Sequence, residues 1–200
     1  MMFGVSPDEP DPVQAVHLLC GEKVTVRPAR PQDTGIIQAY IRGLPPASRR
    51  NRFLGALNEV SANELYGMTH MDRCSHPALI AENVVEGTCT MIGEARYAVA
   101  LDGFNCEFAV SVAETWRRKT LGALLVGIVA YRAKALGLRY LVGDVFRSNE
   151  AMIALGRKTG FAVTGSVADA TLVKITRDLS LLDAAQPWNE LASQSRLIAA

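Results

Sequence analysis

The chain is poor in the features that would assign it to a specialised class at sight. Only 4 of its 200 residues are cysteines, and Cys20, Cys74, Cys89 and Cys106 form no C-x-x-C pair. That is too sparse for a disulfide framework and points to reduced thiols in a cytoplasmic protein. Charge of one sign is missing as well: 21 Lys+Arg against 20 Asp+Glu leave a net +1, so no global field announces a nucleic-acid or membrane partner. The longest apolar run, Leu121 to Tyr131, stops at Arg132, short of the ~20 residues of a spanning helix. The start, with Asp8, Glu9 and Asp11 among prolines, lacks the basic-then-apolar order of a signal peptide. Residues 1–22 are expected to be a leader packed on the domain, and 179–200 a loosely docked extension or an oligomer contact that admits a homodimer. No repeat and no low-complexity stretch interrupts the rest.

What is present is an ordinary globular composition, 49% hydrophobic and 20% charged, in one domain over 23–178. Lys23 to Arg27 reads as a strand. Asp33 stands as the N-cap of a helix bearing Ile36, Ile37, Tyr40 and Ile41, which Pro45-Pro46 ends. Ser48 opens a second short helix, and Ser61 with Glu64 forms a capping-box pattern for a third. Alternation then takes over at Ala78 to Ala81, Thr90 to Ala100 and Cys106 to Val112, the last two joined by an Asp102-Gly103 turn. Leu121, Leu124, Leu125, Ile128 and Val129 form one apolar stripe of a long helix closed by Gly137. A strand from Arg139 to Phe146 follows, then a helix capped by Asn149 and ended by Gly160, then strands at Phe161 to Thr164 and Thr171 to Thr176. Such an order predicts an α/β fold with a mixed central sheet and helices on both faces.

Charge is segregated locally. Between Glu22 and Arg52 seven basic residues face two acids, whereas from Phe53 to Ala95 six acids face Arg73 alone. Solvated faces of alternating sign are one reading. The other is a site with a cationic side for phosphates and an anionic side for a cation. The sharpest motif is Val112 to Ala123, where a strand ends, a basic turn (Arg117-Arg118-Lys119) follows, and a helix begins. Its first-turn N–H groups and dipole suit a pyrophosphate, and Gly122 allows close approach of the backbone.

Arg117-Arg118-Lys119-Thr120-Leu121-Gly122 resembles the acyl-CoA pyrophosphate loop of the GNAT superfamily of N-acetyltransferases, Q/R-x-x-G-x-G/A, with Thr120 where the first glycine is usual. Asn149-x-x-Met152-x-x-Leu155-x-x-Lys158-x-Gly160-Phe161 resembles the segment closing its cofactor groove. Arg27-Pro28, Ser48 to Phe53, Met71-Asp72, Gly93-Glu94-Ala95-Arg96-Tyr97 and Glu107-Phe108-Ala109-Val110 extend the likeness over about Val24 to Arg177. They are most similar to the acetyltransferase domain of bacterial protein-lysine acetyltransferases. The resemblance implies a single GNAT-like domain using acetyl-CoA as cosubstrate. Val110, Val112, Arg117, Arg118, Lys119, Thr120, Leu121, Gly122, Ala123 and Asn149 would line the cofactor site. The strand ending at Val112 would diverge from the strand at Arg139 to Phe146, with the thioester in the split.

The acceptor expected is a primary amine, a protein lysine or a small molecule. Such an amine is almost wholly protonated at neutral pH, so a carboxylate must take its proton. Glu107, on a strand expected to be covered on both faces and at the match of the subgroup's catalytic glutamate, is the first candidate; Glu94 on the neighbouring strand is the reserve. Many relatives carry a tyrosine seven residues after the asparagine, where this chain has Gly156, leaving water as acid for the departing thiolate. Thr120 and Gly156 also motivate a second reading, a non-catalytic acyl-CoA-binding sensor or regulatory module. His70, Cys74 and His76 lack a fourth ligand and the standard spacing, so no metal is expected. The Arg49-Arg50-Asn51-Arg52 cluster lacks stacking aromatics and reads as a CoA 3′-phosphate contact or a solvated helix face. Cys106 reads as a buried structural thiol.

Overall fold

Period-two apolar patterning draws most of the chain into one sheet. In a computed structural model, which describes residues 14–18, 20–70, 78–85 and 87–182, eight strands align across it among the described residues. They are β1 (Gln14–His17), β2 (Lys23–Pro28), β3 (Ala78–Val85), β4 (Thr88–Val99), β5 (Asn105–Val112), β6 (Tyr140–Phe146), β7 (Ala162–Gly165) and β8 (Leu172–Asp178). The order is β1-β2-β3-β4-β5-β6-β8-β7, antiparallel throughout except for the parallel pair β5–β6. The expected mixed α/β architecture is present. The sheet reaches back to Gln14, so part of the stretch expected to be a leader is its first strand, with Val16 and Leu18 buried in the core.

Helices α1 (Thr34–Gly43), α2 (Pro46–Phe53) and α3 (Ala62–Thr69) cover one face; α4 (Leu121–Ala135) and α5 (Glu150–Lys158) cover the other. Alternate strand residues divide accordingly: Ile80 joins Ile37, Tyr40 and Ile41, while Leu79 and Ala81 join the larger cluster with Leu121, Leu125 and Ile128. The capping box of α3 forms as read, Ser61 Oγ accepting from Glu64 N at 3.2 Å and Glu64 accepting from Ser61 N at 2.9 Å. Gly137 (φ +81°) and Gly160 (φ +85°) end α4 and α5 in Schellman motifs, closed by Leu138 N to Ala133 O at 3.0 Å and Phe161 N to Gly156 O at 2.8 Å.

Three local expectations change. The second helix opens at Pro46 rather than Ser48, because proline's missing N–H costs nothing at the first helical position. Asp33 precedes α1 without capping it by its side chain; the carboxylate turns instead to Arg27, at 2.7 and 3.0 Å, and to Arg30 N. Helix α4 is apolar over far more than a stripe, with nine of its 15 residues buried. The turn at Leu179–Leu181 packs against it from outside the sheet, with Leu179 fully buried.

Candidate active site

The sheet opens in its middle. Strands β5 and β6 pair only at Asn105–Tyr140, Cys106–Leu141 and Glu107–Val142, after which they part. Strand β5 stays bonded to β4 as far as Val112–Gly93, and β6 to β8 as far as Phe146–Leu172. From Phe108 to Val112 one backbone edge of β5 therefore faces the split rather than a strand. The Phe108 ring sits where the strands diverge: a Cβ on Gly143 would lie 3.2 Å from its Cε1, and Phe161 packs on it at 5.2 Å between ring centroids. Val110 and Val112 follow on that face, half-buried against the core.

At the wide end of the split the chain makes a basic turn and enters α4. Arg118 (φ +60°) and Thr120 (φ +69°) both lie in the left-handed region. Thr120 does not cap the helix by its side chain; its hydroxyl donates to Lys119 O at 2.5 Å. Among the described residues the first-turn N–H groups of α4 are thus left without a side-chain acceptor. A left-handed residue followed by helical ones turns successive N–H groups inward, a concavity suited to an anion.

The three cations of the turn differ in their commitments. Arg117 pairs with Glu114 at 2.5 Å and donates to Ser48 Oγ at 2.9 Å, tying the turn to α2. Lys119 is held by Glu22 at 2.6 Å and lies 4.6 Å from the Trp116 ring centroid; the Glu22 hydrogen bond keeps its ammonium above the ordinary lysine range. Arg118 is exposed and has no such partner among the described residues. Leu121 is fully buried, so only its backbone is available to a ligand. Gly122 has a packing role that its motif position did not reveal: a Cβ there would meet Leu155 Cδ2 at 3.2 Å and Val112 Cγ2 at 3.8 Å. Ala123 is half-buried beside it, and Asn149 Oδ1 caps α5 by accepting from Met152 N at 3.2 Å.

On the opposite face of the split the two glutamates part company. Glu107 is exposed rather than covered on both faces. It shares a cleft of about 450 Å³ with Asn105, Tyr140, Val142, Lys174 and Thr176. Glu94, read as a reserve base, is only 2% exposed and accepts both Nε and Nη2 of Arg52, the latter at 2.9 Å. Ser111 Oγ donates to it at 3.0 Å and is itself 3.0 Å from the Tyr40 hydroxyl. Burial pushes the Glu94 carboxyl up, but the charge and hydrogen bonds of Arg52 outweigh this and hold it below the usual carboxylate range. A carboxylate so committed is a poor proton acceptor. Burial and the Glu94 charge push the Tyr40 phenol well above its ordinary value.

The arginine cluster is not a solvated face. Arg49 donates to the carbonyls of Arg42, Leu44 and Leu57, Arg50 lies 4.0 Å over the Phe146 ring, and Arg52 takes Glu94. The sequence signal for that last pair was an acid inside Met91-Ile92-Gly93-Glu94-Ala95, an apolar run that demands a buried cation. The anionic side also dissolves. Glu59 pairs with Arg42, Glu82 with Arg27, Glu94 with Arg52, and Glu64 caps α3; Asp72 and Glu86 lie outside the described residues. Cys106 is fully buried, its thiol pushed up to about 12 by burial, which makes it no nucleophile. Among the described residues no group of three or more metal-ligating side chains assembles; His70 stacks on Tyr66 at 3.9 Å, and Cys74 and His76 lie outside them. No helix among the described residues is long and apolar enough to cross a membrane.

Comparison with known proteins agrees with this geometry. The model of the acetyltransferase (GNAT) family matches residues 50–161. An acetyltransferase of Pseudomonas aeruginosa is 30% identical over 153 residues, 76% of this chain and 82% of that protein. The GNAT domain of the Streptomyces lividans PAT protein superposes with a TM-score of 0.75 at 21% identity, covering 83% of this chain and 96% of that one. The yncA protein of Salmonella typhimurium, solved with its cofactor acetyl-CoA, superposes with a TM-score of 0.62 at 20% identity, over 82% of this chain and 98% of that one.

Proposed function

Because the chain belongs to the acetyltransferase (GNAT) family, we propose that it moves an acetyl group from acetyl-CoA to a primary amine by direct attack, with Glu107 as general base. The observation that carries this reading is the split between β5 and β6, which begins at Glu107 and ends at an uncapped helix N-terminus. The pyrophosphate fits the N–H concavity formed from Thr120 to Ala123, with Arg118 free to approach it. The acyl arm then runs along the open edge of β5 past Val112 and Val110 toward Glu107. Asn149 supports this side by fixing the start of α5.

In the reaction, Glu107 takes a proton from the ammonium, directly or through one water, and the freed nitrogen attacks the thioester carbonyl carbon. An N–H on the open edge of β5 stabilises the oxyanion. The carbon–sulfur bond breaks as the cationic nitrogen of the intermediate gives up its second proton, which passes through water to the departing thiolate, whose pKa near 8.5 permits this without a protein acid. No tyrosine acid stands at Gly156, and the fully buried Cys106 excludes an acyl-enzyme at that thiol.

The test is thiol release from acetyl-CoA in the presence of amines. For Glu107→Gln, acetyl-CoA affinity by calorimetry should hold while turnover falls ~10²–10⁴-fold, roughly 3–5 kcal/mol of barrier. The loss should shrink as pH rises and the amine deprotonates unaided. Arg118→Glu should instead weaken acetyl-CoA binding. Binding without thiol release from any amine would identify a sensor and overturn the catalytic reading.

A further inference from the structure

The motif Gly93 to Tyr97 contains a cation that the reaction described above does not use. Arg96 lies on β4, on the same sheet face as Glu94 and Glu107. It is half-buried, and no hydrogen bond or ion pair joins it to a carboxylate among the described residues. The charges acting on it are Arg52, Glu94 and Glu64. Arg52 and Glu94 are joined in a buried pair, and Glu64, whose charge favours the Arg96 guanidinium, takes its hydrogen bonds from Ser61 at the start of α3 rather than from Arg96. Burial, reinforced by the like charge of Arg52, holds its guanidinium below the ordinary arginine value, and among the described residues no carboxylate is paired with it.

The floor around Arg96 is cleared of bulk. The register places Ala78 on one side of it and Ala109 on the other, and Ala98 opposite Glu107. Glu107 is therefore one diagonal step from Arg96 across the β4–β5 pair, roughly 7–8 Å along the sheet and within reach of long side chains. The other cation near Glu107, Lys174, is already 3.5 Å from Asp144. A carboxylate and a guanidinium at diagonal positions of one sheet face, over a floor of alanines, match a molecule carrying an amine and a carboxylate a few bonds apart.

We infer that Arg96 binds a carboxylate of the acceptor, and that the acceptor is a free amino acid or a similar small zwitterion. This rests on the proposed acetyl transfer with Glu107 as base and narrows its amine to one class. A polyamine would bring a second cation toward Arg96. The ε-amine of a protein lysine brings no carboxylate of its own.

The experiment is a thiol-release assay with acetyl-CoA and matched acceptors: the common amino acids, their amides, spermidine and a lysine peptide. The wild-type protein should acetylate at least one amino acid and prefer it over its amide by about 10–100-fold, the worth of a charge-assisted contact. Arg96→Gln should raise KM for the amino acid by that factor, leave the amide unchanged, and so erase the preference. Arg96→Lys keeps the charge on the same strand and should restore part of it; circular dichroism of both variants guards against misfolding. Preference for the amide, spermidine or the peptide overturns the inference while sparing the acetyl-transfer reading. Equal losses for acid and amide in Arg96→Gln do the same. Silence with every amine overturns both.

Discussion

Thr120 carries a conformational cost that bears directly on the proposed cofactor site. Its backbone, at φ +69° and ψ −6°, is the left-handed one that glycine adopts freely and a β-branched residue resists. The cost is on the order of 1–2 kcal/mol, set against the roughly 0.5–1 kcal/mol by which glycine loosens the unfolded chain. Thr120→Gly should therefore raise stability modestly, by about 0.5–1 kcal/mol in urea unfolding, and leave acetyl-CoA affinity equal or higher. A loss of stability would show that the Thr120 hydroxyl bond to Lys119 O compensates the strain. The departure at this position was legible in the sequence as a threonine where the first glycine is usual, and the structure adds a strained backbone. Gly122 shows the same limit, since the residue against which it packs, Leu155, is 33 positions away and no local pattern names it.

Among the elements, α2 depends most on a single contact. It is short and polar, and beside the Arg50–Phe146 and Ser48–Arg117 contacts its buried hold on the sheet is Arg52 reaching Glu94, with both side chains almost completely buried. Breaking such a pair by removing one charge leaves the other desolvated, at a cost of about 3–5 kcal/mol. Glu94→Gln should lower the melting temperature by about 6–20 °C for a chain of this size. An unchanged melting temperature would mean that the pair is solvated in practice. Such a variant also loosens the Ser111–Tyr40 hydrogen bond beside the split, so reduced turnover in it is no proof of a base. The helices and strands themselves were largely readable, because α3 and α5 carry their N-caps, and α4 and α5 their glycine stops, in sequence. The partner of Glu94 was not, since Arg52 lies 42 positions away and meets it only in the folded chain.

For the whole molecule, the buried carboxylates set the acid limit. Burial pushes Asp33 up, but the hydrogen bonds and charge of Arg27 and the Arg30 N–H outweigh it, so it too lies below the ordinary value. Groups depressed on folding, as Asp33 and Glu94 are, contribute stability that is present above the unfolded carboxylate value near 4. That contribution is lost as pH falls through their lower folded values. Urea midpoints should therefore be level with respect to these groups from about pH 5 to 8 and decline below about pH 4. A midpoint that rises on acidification would contradict the assignment. The mixed α/β architecture was legible from the order of periodic segments. The strand at Gln14–His17 was not, because a four-residue edge strand carries too few alternations to register.

The three-pair contact between β5 and β6 has a consequence for solubility. An unpaired strand edge is ordinarily where polypeptides adhere to one another, and proteins protect it with charge, proline or a covering helix. Here the bare edge from Phe108 to Val112 lies within the sheet, with β6 beyond it and α4 on one side. A neighbouring chain seeking a strand to extend meets β1 or β7 first, at the outer margins. The molecule thus keeps an adhesive length of backbone in its interior, where a slender ligand can pair with it and another copy of the chain cannot.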